Sequence, residues 1–240
     1  NLKIAINIVG LSHNDILGIH SYKDAYINLF KNLIDPLREN NDVQIHVYTY
    51  DTSERENIIK IYDPIESTFL EEVPYDSIHM ANKTYMDSLD KLDRADVDFI
   101  ITTRFDLDIR VPLEIEFSKF NFLFKQTRWW SERNNHYCTS DSFHAFPKQM
   151  LPVVIEALKS TWYFSSDRVK NGIDPPVGEH PYFCPGLYHC LYAFLQKEIE
   201  PSNIHFIDND KQDVKTSKRY VLGRFSKKIN PHLDLKSRLM

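Results

Sequence analysis

Two aspartates that directly follow an apolar segment are the residues of this sequence best suited to chemistry. Asp106 and Asp108 are two positions apart, and the segment before them, 96–103, reads DVDFIITT, as expected for a buried strand. In open α/β sheets, ligands bind beyond the carboxyl ends of the strands. Paired carboxylates there could hold Mg²⁺ or Mn²⁺, which would neutralise the leaving group of a nucleotide diphosphate. Arg104 could add a charge-assisted hydrogen bond to a phosphate.

The segments before this pair predict the elements that would position it. An apolar run over 3–9 and an alternating run over 43–50 read as strands. Between them, apolar residues recur at three- and four-residue steps over 22–37, which predicts an amphipathic helix whose end Pro36 should kink or shorten. Strand, helix and strand in this order indicate a βαβ unit with a parallel sheet.

Further elements follow along the chain. Helices are predicted over 80–92, 147–159 and 186–197, and strands over 120–124 and 204–207. We therefore predict a single α/β domain over 1–210, in which a mixed, mainly parallel sheet is flanked by helices, and a basic extension over 211–240. Asp-x-Asp is common, so a solvated acidic turn is the alternative interpretation of Asp106 and Asp108. Their place after a buried strand of such a sheet favours a binding site.

Composition and charge exclude several classes of protein. The chain has 240 residues, of which 42% are hydrophobic and 26% charged, as in globular proteins. Its 29 Lys/Arg and 34 Asp/Glu leave a net charge of -5, and an acidic body argues against nucleic-acid binding. The basic extension could contact an anionic membrane, although a solvated tail is the favoured interpretation. Three cysteines without a CxxC spacing predict a reducing, cytoplasmic location.

The sequence around the aspartates resembles that of a known enzyme family. Arg104-Phe-Asp-Leu-Asp108 is similar to the Arg-Phe-Asp-Leu form of the DxD motif in GT-A-fold glycosyltransferases, which include enzymes encoded by large DNA viruses of algae. The likeness extends over about residues 1–208 as a pattern, but only these five residues are specific. It implies a GT-A-like, Rossmann-like fold and transfer of a sugar from a nucleotide sugar, most simply a UDP-sugar, to a hydroxyl of a glycan. In a viral setting, the location would be the host-cell cytoplasm.

The resemblance also implies roles for single residues. Asp106 and Asp108 would hold Mn²⁺ or Mg²⁺ against the donor diphosphate, with Asp108 the more direct ligand. Some members of the fold supply a late histidine as a further metal ligand, and here His205 would be that residue; the alternative is an ordinary strand histidine. The donor nucleoside would be framed by the ends of the first two strands, namely Val9 and Gly10 with Tyr50 and Asp51.

Residues for the sugar and the acceptor are predicted in the later part of the chain. Trp129 and Trp130 suit sugar binding because the CH-rich faces of a pyranose pack on aromatic rings; the alternative is that both lie in the core. Inversion would need a general base, for which Asp141 and Glu179 are the candidates. The resemblance also implies that Asp141 contacts the sugar or the acceptor hydroxyl. His180, next to Glu179 in a Pro-rich loop, would contact the sugar or the acceptor. Asp141 as a capping residue and Glu179 as a solvated one are the alternatives.

Two other functions are compatible with parts of the sequence. A nucleotidyltransferase on a related fold would use the same carboxylates, but the loop after the first strand, 10–14, has no Lys or Arg. A non-catalytic glycan-binding module would use the tryptophans and bind sugar without metal. The oligomeric state, and retention or inversion at the sugar, are left open by the sequence.

Overall fold

The architecture is taken from a computed structural model of the chain. It describes residues 1–15, 21–71, 77–125, 139–140, 142–159, 191, 195, 198–214 and 216–223, with side chains excepted over 77–83. None of the helices in these ranges is long and apolar enough to cross a membrane.

Nine strands occur in the described residues. They are β1 (Lys3–Val9), β2 (Asp42–Tyr50), β3 (Glu66–Leu70), β4 (Phe99–Arg104), β5 (Leu107–Ile109), β6 (Phe120–Phe122), β7 (Phe143–Pro147), β8 (Ile204–Phe206) and β9 (Tyr220–Leu222). Seven form the main sheet in the order β3-β2-β1-β4-β7-β6-β8, and β5 pairs with β9 in a second sheet. Strands β1 to β4 are mutually parallel, β7 runs antiparallel to β4 and β6, and β8 runs parallel to β6. The predicted mixed, mainly parallel α/β sheet is confirmed.

Helices cover both faces of the main sheet. On the first face, α1 (Tyr26–Leu29) passes through a π-helical turn (Phe30–Ile34) into α2 (Asp35–Arg38), and α3 (Arg55–Tyr62) packs beside them. The second face is covered by α4 (Ser77–Leu92) and by α5, which spans 151–159. A strand covered on both sides must be apolar on both sides. β1 satisfies this requirement, because six of its seven residues are buried.

Proline positions refine two of the predicted helices. Pro36 lies in the first turn of α2, where its fixed φ is compatible with helix. The π-helical turn directly before α2 accommodates the proline, so helix continues to Arg38. Pro147 ends β7 and does not begin a helix; a 3₁₀ turn, Lys148–Met150, leads into α5 instead.

The packed body of the domain extends past the predicted boundary at residue 210. Val214, Tyr220 and Leu222 are buried in the core on the first face of the sheet, together with Leu107 and Ile109 of β5. The pairing of β9 with β5 accounts for this burial, because it carries the chain back across the domain. Residues 211–214 and 216–223 therefore do not form a separate extension. Residues 224–240 lie outside the described part of the chain.

A buried histidine lies beneath an exposed ion pair at the β3 side of the sheet. His46 of β2 is buried, with its Nδ1 atom 3.9 Å from Oε2 of Glu66, while Lys91 approaches Oε1 of Glu66 at 3.1 Å. No described residue forms a hydrogen bond with His46 Nε2. Burial lowers the pKa of His46, and the negative charge of Glu66 opposes that shift only in part.

Because of this lowered pKa, His46 is expected to make stability depend on pH. As pH falls below about 6.5, the unfolded chain binds a proton that the folded chain resists, so the free energy of unfolding decreases. The slope from this residue is at most about 1.4 kcal/mol per pH unit. Urea titrations of wild type and His46→Gln between pH 8 and 5 measure it by difference. Identical pH slopes for the two proteins would contradict the expectation.

Candidate functional site

The carboxyl ends of three parallel strands meet at one edge of the main sheet. Val9 at the end of β1 is in register with Tyr48 of β2 on one side and with Arg104 of β4 on the other. The chain places β2 and β3 on one side of β1 and then continues with β4 on its other side. The order of strands thus reverses between β1 and β4, and crevices at such reversal points are where open α/β sheets bind ligands.

Gly10 opens the backbone at this edge. Its φ of 93° lies in the left-handed region that favours glycine, and no atom lies within 4 Å of the position that a Cβ would take. The peptide is held on both sides, because its N–H donates to the carbonyl of Tyr48 at 3.2 Å and its carbonyl accepts from Oγ1 of Thr49 at 2.7 Å. A ligand could therefore approach a fixed stretch of backbone here.

The loops that follow β1 and β2 are tied to each other. The Asp15 carboxylate accepts hydrogen bonds from the Ser53 hydroxyl at 2.5 Å and from the Thr52 hydroxyl at 3.0 Å. The hydrogen bond from the Ser53 hydroxyl is the main cause that lowers the pKa of Asp15. Asp51, the first residue after β2, is exposed, and its backbone N–H donates to the carbonyl of Leu70. This edge of the sheet is therefore braced before any ligand binds.

Tyr50, which was expected to help frame the donor nucleoside, has a buried side chain. Its ring is buried on the second face of the sheet, and its hydroxyl lies 2.6 Å from Oγ1 of Thr84 in α4. Both groups are buried, so this contact ties the end of β2 to α4. The residue lies at the expected edge but packs inward in the described arrangement.

Asp106 and Asp108 are buried, and each is paired with an arginine. Nε and Nη2 of Arg104 donate to the two carboxylate oxygens of Asp106 at 2.8 and 3.1 Å. Nε of Arg110 donates to Oδ2 of Asp108 at 2.7 Å, and Nδ2 of Asn28 donates to its Oδ1 at 2.6 Å. All four carboxylate oxygens therefore accept a hydrogen bond from a side chain, and two of the three donor side chains are cations.

The backbone of the segment 106–110 is held in part by residues much later in the sequence. The N–H of Gly223 donates to the carbonyl of Asp106 at 2.6 Å, and the N–H of Arg110 donates to the carbonyl of Arg219 at 2.8 Å. From the helical side, Nδ2 of Asn32 donates to the carbonyl of Ile109 at 2.7 Å. The carboxylates are thus fixed at both the backbone and the side chain.

The described residues do not present these carboxylates to a divalent cation. Among them, no three His, Cys, Asp or Glu side chains gather where a metal ion could be held. His205 does not lie near the aspartates. It is in register with Asn121, and through Ala145 of β7 with Ile101 of β4, well before the carboxyl end of β4. A cation bound to either carboxylate would compete with these hydrogen bonds. The expected Mn²⁺ or Mg²⁺ dependence stays a prediction.

Five predicted site residues lie outside the described part of the chain, so their placement carries no argument here. They are Trp129, Trp130, Asp141, Glu179 and His180. Conversely, sequence reasoning missed Arg110 and Asn28. The signal for Arg110 was available, since Arg, Asp, Asp and Arg alternate at every second position over 104–110. No such signal exists for Asn28, which reaches Asp108 only through the packing of α1 against β5.

A polar cleft of about 450 Å³ lies beyond β5. It is formed where the segment after β5 faces the segment after β8, and Arg219 and Tyr220 line one wall. Arg219 donates to Oδ2 of Asp208 at 2.7 Å, which orders that wall. The cleft therefore lies next to the strand that carries Asp108.

Comparison with known proteins adds no family to these observations. No protein-family model and no curated protein matches the sequence. The arguments for function therefore come from the site itself.

Proposed function

We propose that the chain is a glycosyltransferase that moves a sugar from a nucleotide sugar to a hydroxyl of a glycan acceptor. In this proposal the fold is GT-A-like, and the donor, expected to be a UDP-sugar, lies across the carboxyl ends of β1, β2 and β4. Val9, Gly10 and Asp51 would border the nucleoside, and Arg104 would contact the diphosphate.

The observation that carries the proposal is the position of the segment Arg104–Asp108. It begins at the last residue of β4, at the edge where the order of strands reverses and where Gly10 leaves open space beside the backbone. A donor bound there would have its diphosphate next to Arg104. Guanidinium groups bind phosphate oxygens in pairs and stabilise the charge that develops on a departing diphosphate.

For proton transfer from the acceptor and for sugar binding, the proposal uses the residues predicted from the sequence. Asp141 or Glu179 would accept the proton of the acceptor hydroxyl if transfer proceeds with inversion. Trp129 or Trp130 would pack on the face of a sugar. The polar cleft beyond β5 is a suitable place for a hydroxyl-rich acceptor, since it adjoins the segment that would hold the diphosphate.

Calorimetric titration with UDP and GDP, with and without Mn²⁺, tests this proposal. We expect wild type to bind UDP more tightly than GDP, and Asp108→Ala to weaken UDP binding at least ~10-fold, or about 1.4 kcal/mol. The loss is expected because Asp108 belongs to the segment proposed to lie against the diphosphate. The substitution removes the carboxylate that Arg110 and Asn28 contact, so that segment is less well fixed. A screen for hydrolysis of UDP-sugars without acceptor then identifies the donor.

The matched control is Asp90→Ala, which removes an exposed carboxylate from α4. UDP affinity should be unchanged in this variant. If wild type binds neither nucleotide under either condition, the glycosyltransferase proposal is wrong. In that case, metal-independent binding on a glycan array would favour the glycan-binding module.

A further inference from the structure

The arginines, and not the aspartates, face solvent in the segment 104–110. The side chains of Arg104 and Arg110 are 27% and 30% exposed, whereas those of Asp106 and Asp108 are 1% and 7% exposed. A ligand that approaches from solvent therefore meets guanidinium groups first. The carboxylates lie beneath them and supply the hydrogen-bond acceptors that hold them.

Alternation along β5 explains this layering. Leu107 and Ile109 face the core, so Asp108 and Arg110 project to the other side of the strand. The Arg110 backbone is fixed by its hydrogen bond to Arg219, and Asn28 fixes the carboxylate that Arg110 contacts. The Nε atom of Arg110 is thus held in one place by its neighbours.

Arg110 still has donors to offer. Its interaction with Asp108 uses Nε, and within the part of the chain that the structure describes, its two terminal nitrogens make no hydrogen bond. These nitrogens carry four N–H groups in a planar fork, the geometry that matches two phosphate oxygens. A metal site would need the opposite arrangement, with carboxylate oxygens directed toward the bound ion.

We propose that Arg104 and Arg110 together bind the diphosphate of the donor, and that Asp106 and Asp108 are positioning residues for these arginines. This inference rests on the proposed function and deepens it. In this inference the guanidinium groups supply N–H donors to the phosphate oxygens, and donor binding does not depend on a divalent cation.

Titration of inorganic pyrophosphate and of UDP, each in EDTA and in Mn²⁺, tests the inference. We expect the affinity of wild type for both to change less than ~3-fold when the metal is removed. In EDTA, Arg110→Gln should weaken binding at least ~10-fold, and Arg110→Lys should weaken it less, because lysine keeps the charge but loses the planar fork. The control is Arg94→Gln, an exposed arginine between α4 and β4, which should bind as wild type does.

The positioning role has a separate readout. Asp108→Asn should weaken pyrophosphate binding in EDTA, where a carboxylate that served only as a metal ligand would have no effect. Melting temperatures of all variants exclude unfolding as the cause of a loss. Binding is titrated at a temperature at which every variant is folded.

The possible outcomes separate this inference from the proposed function. Binding of UDP that requires Mn²⁺ and is unchanged in Arg110→Gln would overturn the arginine site and leave the transferase proposal intact. Arginine-dependent binding of pyrophosphate, with no preference for UDP, would overturn the nucleotide-sugar donor and support the diphosphate site. If wild type binds neither compound, both proposals are wrong.

Discussion

Replacing Asp106 with alanine is expected to lower the free energy of unfolding by about 3 kcal/mol and to weaken nucleotide diphosphate binding at least ~10-fold. The carboxylate is buried and accepts two hydrogen bonds from Arg104. Alanine removes the two carboxylate oxygens that accept hydrogen bonds from Arg104. The contact between Arg104 and the turn that follows β4 is then lost. Partial exposure of Arg104 lets water solvate the freed cation, which places the loss at the lower end for buried ion pairs.

Urea unfolding and pyrophosphate titration of the same variant measure the two effects. Asp106→Asn keeps the shape and one acceptor, so it should lie between wild type and alanine in both measurements. Asp35→Ala is the matched control, because Asp35 belongs to an exposed pair with Arg38 at 3.9 Å and should change stability by less than about 1 kcal/mol. Equal losses in Asp106→Ala and Asp35→Ala would contradict the structural role of the buried pair.

Truncation of Phe120 to alanine is expected to have the largest effect on stability, about 3–5 kcal/mol. Its ring is fully buried and stacks on that of Phe146, with 5.2 Å between ring centroids and an interplanar angle of 2°. It also contacts Phe122, at 4.7 Å between centroids. Alanine would leave a cavity that the surrounding strands of the sheet cannot close without moving.

Phe120→Ala should lower stability without changing nucleotide binding. Phe120 begins β6 and is in register with Ile204 at the start of β8, away from the carboxyl end of β4. The folded fraction should therefore bind nucleotide as wild type does at low temperature, while its midpoint in urea falls. Phe117→Ala, which removes a partly exposed ring, should cost much less. Similar midpoints for the two variants would show that the Phe120 site collapses without a cavity.

Strands that bury both faces could be predicted from sequence, and so could the short apolar run of the edge strand β8. β1, β2 and β4 are apolar runs because the sheet is covered on both sides, and the helix over 26–38 shows its apolar stripe for the same reason. β3 gave no such signal: it is an edge strand whose residues are exposed or half-buried. The GT-A-like identity of the fold stays a prediction, since the sheet supports only the mixed α/β class.

The candidate site was predictable in position and not in its contacts. The place of Asp106 and Asp108 follows from a local rule, since they come directly after a buried strand. Their partners depend on longer-range packing. Asn28 is 80 residues from Asp108 along the chain, and Gly223 lies farther still from Asp106. Spacing in a sequence carries no information on contacts of that range.

The pairing of β5 with β9 also determines the order in which parts of the domain can fold during synthesis. A ribosome delivers the chain from its first residue onward, so Leu107 emerges long before its partner Leu222. Until then, β5 lacks a strand at its side and the carbonyl of Asp106 lacks the N–H of Gly223. Closing so long a loop is slow compared with forming the neighbouring helices. The nascent protein would therefore complete its main sheet first and acquire an ordered binding segment only after β9 has been synthesised.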